Sequence, residues 1–144
     1  MLATLQQTVQ KAVQPVMDRI PVSVQETIGL WAFGIFKIPV LAFVSPTVVE
    51  LSHERCVVKI PLNRRTRNHV GSMYFGVLAA GADCAGGMMA MRLGGKSISL
   101  LFKDFTAKFL KRAEGDVFFT CTNGKEIQEA LVLAKETGER QNLP

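Results

Sequence analysis

The stretch from residue 68 to residue 93, NHVGSMYFGVLAAGADCAGGMMAMRL, constrains the chain more than any other. From Val77 to Met91 nearly every residue is apolar or small. A run of this length without a polar face predicts a helix buried on all sides. Gly81, Gly86 and Gly87 stand inside it, and a glycine costs roughly 1 kcal/mol relative to alanine within a helix. Their presence predicts a helix that other backbones approach closely. Asp83 is the only charged residue of the run. A carboxylate in such surroundings has to be hydrogen-bonded, paired, neutral or chemically employed.

The rest of the composition narrows the class. A chain of 144 residues that is 48% hydrophobic and 20% charged is long enough for one domain with its own core. Its net charge of +5 fits either an ordinary mixed surface or attraction for a polyanion, such as the phosphates of coenzyme A, an anionic membrane or nucleic acid. No nucleic-acid motif or basic patch interleaved with aromatics is present, so nucleic acid is not an expected partner. Cys56, Cys84 and Cys121 are widely spaced, with no CxxC pair and no metal-ligand spacing. The expectation is reduced, buried thiols in a cytoplasmic protein, with no metal and no redox cofactor. Cys84 adjoins Asp83, but helix neighbours point about 100° apart, which argues against a cysteine nucleophile working with that carboxylate.

Upstream, Leu2, Leu5, Val9, Val13 and Val16 give Met1–Ile20 the spacing of an amphipathic helix, with Pro15 as a kink. It lacks the pattern of a signal peptide. Pro21–Leu30 reads as a break followed by a short helix with Ser23 as N-cap and Glu26 three residues on. Ile28–Val44 is the most hydrophobic segment, yet Lys37 and Pro39 lie near its middle and its length is at the lower limit for a bilayer. A helix ending near Lys37 is therefore expected, packed on the protein rather than touching a membrane. In the alternative reading, a membrane-surface helix, Trp31, Phe33 and Phe36 are the anchors. Residues 1–45 together form an N-terminal helical extension, and residues 46–144 the main domain.

Thr47–Leu51 and Arg55–Leu62 read as strands joined by a turn at Ser52-His53-Glu54, with His53 a solvated turn residue. Asn63–Arg67 is a basic loop. After the apolar helix, Ser97–Leu110 reads as a long strand and Val117–Thr122 as another. Asn123-Gly124 is a turn, and Ile127, Ala130, Leu131 and Ala134 give Lys125–Thr137 a helical spacing that Gly138 stops. Runs of strands alternating with helices in this order give an α+β class.

Asn68, Gly71, Gly76 and Asp83 resemble the signature of hot-dog-fold acyl-thioesterases of the phenylacetate-pathway type. That family shows an Asn, a Gly three residues on, a His-Gly-Gly turn, and an Asp nine residues after the His. Here Tyr74 stands at the His position and Phe75 at the first Gly. From about Ile38 to Pro144 the pattern is similar to the domain of unknown function 4442. The resemblance implies a long antiparallel β-sheet wrapped around the central helix. Hot-dog domains finish with further strands beyond the last helix read here, so either the sequence is truncated or a partner completes the sheet edge.

The resemblance also implies a chemistry. The enzyme would be an acyl-CoA thioesterase without metal or cofactor, acting as a homodimer or a dimer of dimers with sites at the subunit interface. Asp83 would be general base or nucleophile. The backbone N–H groups of Phe75 and Gly76, at a helix start that carries partial positive charge, would form the oxyanion hole. Asn68 would orient water or the thioester carbonyl. Tyr74 and Met73 would contact the substrate, and Lys103, Lys108 and Arg67 would contact nucleotide phosphates. A non-catalytic acyl- or lipid-binding module is the alternative, and a hot-dog hydratase a distant third because the expected His is absent.

Overall fold

A computed structural model describes residues 15, 19–95 and 99–143. The amphipathic pattern of Met1–Ile20 therefore falls almost wholly outside the described residues.

The first described helix, α1 (Val22–Lys37), is one continuous element. Sequence reading divided it into a short capped helix and a second one. Instead Pro21 occupies the N-cap without a side-chain cap, and Ser23 lies inside the first turn, its carbonyl accepting the Thr27 hydroxyl at 2.8 Å. The helix ends where Pro39 forces extended backbone on the residue before it, Ile38 at φ −136°. Pro39 then opens the short helix α2 (Pro39–Val44). The two helices cross so closely that a Cβ on Gly34 would lie 2.9 Å from the Ala42 backbone nitrogen.

Strands β1 (Thr47–Leu51) and β2 (Cys56–Ile60) form the expected hairpin. Its register shifts between Val48 and Glu50, which places a bulge at Val49. The Ser52 hydroxyl caps the turn by accepting the Arg55 N–H at 3.0 Å. β3 (Val117–Cys121) pairs antiparallel with β2, so the sheet runs β1-β2-β3 with β2 in the middle. α1 is fastened to the sheet by the Val48 N–H, which donates to the Thr27 hydroxyl at 2.9 Å, and by the Trp31 indole N–H, which donates to the Pro46 carbonyl at 2.6 Å.

The central helix is α3 (Phe75–Gly94), and it lies across β2 and β3. Val77, Gly81, Cys84, Ala85 and Met89 face inward. There they meet two apolar clusters, one built on Val48, Cys56 and Val58 and the other on Val44, Ile60 and Met73. Burying each large side chain of this core contributes roughly 1.5–3 kcal/mol. α4 (Gly124–Thr137) packs on α3 and ends at Gly138, which adopts the left-handed conformation (φ 69°).

The structure corrects two further expectations. α3 is not buried on all sides within one chain, since Phe75, Ala82, Asp83 and Met91 are exposed. The sheet is short rather than long. Ser97–Leu110 was expected as a strand, but residues 99–110 form none. A strand exists only when its N–H and C=O groups find a neighbour, and no described strand of this chain pairs with the segment. Its side chains accordingly lie open, up to 88% exposure at Leu110.

Candidate active-site cleft

The chain just before α3 is held by local bonds. Thr66 is fully buried, and its hydroxyl donates to the Pro61 carbonyl at 2.6 Å while accepting the Asn63 N–H at 2.9 Å. Asn68 closes the next turn, its Oδ1 accepting the N–H groups of Val70 and Ser72 at 3.1 Å each. Gly71 sits in that turn at φ 84°, a conformation that glycine adopts without cost. Met73 then donates its N–H to the Ala113 carbonyl at 2.8 Å, and Tyr74 donates to the Thr66 carbonyl at 2.8 Å. These bonds aim Tyr74 as an extended N-cap, and α3 starts at the next residue. Ser72 sits buried against Asn68, whose Nδ2 donates to its hydroxyl at 3.1 Å.

At this start the first N–H groups of α3 have no intrahelical acceptor. Val77 and Leu78 donate to the Tyr74 carbonyl. The N–H groups of Phe75 and Gly76 have no acceptor among the described residues. The Tyr74 ring lies over Gly76, so that a Cβ there would come 2.6 Å from Cε1. Phe75 is about half exposed and meets Phe109 edge-on, with ring centroids 5.8 Å apart and an interplanar angle of 77°.

Two turns along the same helix, Asp83 opens into a cleft of about 490 Å³. One wall is Ala79, Ala80, Ala82 and Asp83; the other is Phe102, Lys103, Asp104 and Phe105. With Phe109 at Phe75 and Phe102–Phe105 beside Ala79–Asp83, the segment 99–110 runs antiparallel to α3 along its exposed face. The alanines leave room that larger side chains would fill. The Asp83 carboxylate has no hydrogen-bond or ion-pair partner among the described residues. Partial burial pushes its pKa above the usual carboxylate value.

The sequence-derived candidates thus separate. Asp83 and Lys103 share the cleft. Tyr74, Phe75 and Gly76 stand at the N-terminal end of the same helix, about 12 Å away along its axis by the rise per residue. The side chain of Asn68 is used in its own turn. Met73 is 3% exposed and packs with Val44, Ile60 and Val77 in the core, not against the cleft. Lys108 and Arg67 are exposed and do not line the cleft. The lining residues that sequence reasoning missed are the alanines, Phe102, Asp104 and Phe105. The signal for the alanines was the small-residue stripe on the Asp83 side of the helix.

Residues 29–143 match the family described as a domain of unknown function, DUF4442. The chain belongs to the DUF4442 family. Solved structures similar to this DUF4442 chain agree on the fold. A Pseudomonas aeruginosa protein, PA5026, described as of unknown function and a probable thioesterase, is 21% identical with a TM-score of 0.66, over 83% of this chain and 78% of its own. The protein OLEI01261 of unknown function from Chlorobaculum tepidum TLS is 14% identical with a TM-score of 0.66, over 81% and 74%. The genomics protein APC5556 is 23% identical with a TM-score of 0.60, over 81% and 75%. No curated protein matches the chain.

Proposed function

We propose that this DUF4442 domain hydrolyses an apolar acyl thioester in the cleft between α3 and residues 99–110. The observation that carries the reading is Asp83: a carboxylate without a partner among the described residues, with its pKa raised, on the wall of an otherwise largely apolar cleft. The likeness in fold to a protein described as a probable thioesterase supports it.

In the reaction, ionised Asp83 takes a proton from water as the water oxygen attacks the thioester carbonyl carbon. Alternatively it attacks that carbon itself and the acyl-enzyme is then hydrolysed. The negative charge developing on the carbonyl oxygen is held by the N–H groups of Phe75 and Gly76 at a helix start. Collapse expels the thiolate, which leaves as the thiol after protonation. Because those N–H groups lie about 12 Å from Asp83 on one helix, one carbonyl cannot meet both within one chain. The site is therefore completed by a second copy, Asp83 from one subunit and the helix start from its neighbour. Lys103 in the cleft is placed for a carrier phosphate such as those of coenzyme A. Asn68 acts indirectly, by setting the turn that delivers Tyr74 and Phe75.

One observation favours a second reading, a non-catalytic acyl-binding module. The Phe75 side chain stands at the helix start against Phe109, where a bulky ring narrows the approach to the N–H groups. The purified protein, assayed against acyl-CoA thioesters from acetyl to palmitoyl beside Asp83→Asn, decides between them. Turnover that drops on the order of 10²–10⁴-fold in the variant, with acyl binding retained, supports hydrolysis. Acyl binding without turnover in either protein establishes the module.

A further inference from the structure

The other large exposed surface lies on α1 and α2, away from the residues that line the cleft. α1 packs inward through a narrow stripe, Leu30 and Gly34. The remainder of its apolar surface faces out. Ile28, Trp31, Ile35, Phe36, Val40 and Phe43 are all exposed, Phe36 to 81%. An exposed apolar surface on this scale marks an interaction site. Its charge pattern says with what. Between Glu26 and Glu50 the only charged residue is Lys37. The basic loop Asn63–Arg67 adjoins this face, with the Arg65 guanidinium 5.9 Å from the centroid of the Phe43 ring. Lys37, Arg64, Arg65 and Arg67 have no ion-pair partner among the described residues.

We propose that the α1–α2 face is a docking surface for an anionic lipid bilayer, with Phe36 and its apolar neighbours entering the headgroup–acyl boundary and Lys37, Arg64 and Arg65 meeting lipid phosphates. A bilayer supplies hydrocarbon and negative charge side by side, as an amphipathic interfacial helix requires. A second copy of the chain docked through the same face does not. A two-fold contact would set this acid-free basic face against itself. Among the described residues no helix is long and apolar enough to cross a membrane, so the contact is with the surface. The inference stands independently of the hydrolase reading, since it uses none of the cleft residues.

The protein carries a single tryptophan, Trp31, inside the proposed face. Full-length protein is mixed with vesicles of phosphatidylcholine alone and with about 30% phosphatidylserine, followed by sedimentation and Trp31 emission. Expected is binding to the anionic vesicles with a blue shift of Trp31, weakened by salt through screening. Arg64→Gln/Arg65→Gln should bind on the order of 25-fold more weakly, about fivefold for each basic residue removed. Phe36→Asp should weaken binding at least about tenfold, because it places a charge where hydrocarbon is needed. Circular dichroism confirms that both variants are folded, and either one alone tests the proposal. The proposal is overturned by folded wild type that stays in the supernatant with anionic vesicles. Equal, salt-independent binding to both vesicle types overturns it too, as do variants that bind like wild type. A wild type that ignores vesicles while Phe36→Asp alters its oligomeric state in sedimentation velocity assigns the face to a protein contact instead.

Discussion

Gly81 of α3 faces the Phe119 ring of β3, and it allows the packing of the helix to be measured. A Cβ added at Gly81 would fall onto the Phe119 ring, 2.6 Å from Cδ2, whereas ordinary contacts begin at 3.4 Å. Cε2 and Cζ come closer still, so the ring, which packs against both core clusters, would have to move by about an ångström. Overpacking of that kind costs about 1–3 kcal/mol. Against it stands a helix-propensity gain of about 1 kcal/mol for glycine to alanine. Gly86 isolates that gain, because a Cβ there meets nothing within 4 Å. Gly86→Ala should therefore stabilise by up to about 1 kcal/mol, and Gly81→Ala should fall about 1–3 kcal/mol below it. For a domain of this size that is a gap of roughly 3–10 °C in Tm. Thermal unfolding of both variants at one protein concentration reads it directly. Equal Tm values would refute the reasoning, for they would mean that Phe119 does not hold α3 against the sheet.

Other outcomes are also expected. If Asp83 is the base, kcat/KM should fall about tenfold per pH unit once pH drops below its pKa, and this limb should lie above the usual carboxylate range because burial raises that pKa. A raised folded-state pKa contributes stability below the unfolded value that is lost as pH rises through the folded one. At neutral pH the ionised Asp83 thus opposes folding, and Asp83→Asn should leave Tm unchanged or higher even as turnover collapses. Burial pushes the Cys84 thiol up to about 12 and the Cys56 thiol to about 11. A thiol reagent at pH 8 should then label Cys121 in the native protein, and the other two only on unfolding. Met89 is fully buried between α3 and the sheet, so Met89→Ala should cost about 2–5 kcal/mol in a denaturant titration.

Much of this was legible in the sequence, for reasons that differ by element. The β1–β2 hairpin and α4 depend on local periodicity and turn chemistry, and both formed close to where the residues placed them. α3 was legible as a helix but not in its burial. Apolarity all round says that every face avoids water, without saying whether this chain covers each one. The alternation in residues 99–110 recorded sidedness, while strand formation depends on a pairing partner that no side-chain pattern supplies. Asp83 was legible as the lone charge in an apolar run. The bonding of Asn68 was written in Asn68-His69-Val70-Gly71-Ser72, since an Asn oxygen accepting N–H groups ahead of a glycine is ordinary turn chemistry. The cleft itself was not legible, because it lies between a helix and a segment far along the chain.

β2 and β3 are hydrogen-bonded neighbours, yet residues 61–116 lie between them. In connectivity, α3, its N-terminal turns and the cleft-lining segment are one enlarged hairpin connection. Closing a loop costs free energy that rises only logarithmically with length, about 0.6 kcal/mol per doubling. Insertions or deletions in the parts of this connection outside α3 therefore disturb the pairing of β2 with β3 far less than a change of register in either strand would. The sheet can stay fixed while the length and lining of the cleft vary, so chains that share this sheet are free to differ in the shape of what fits beside α3.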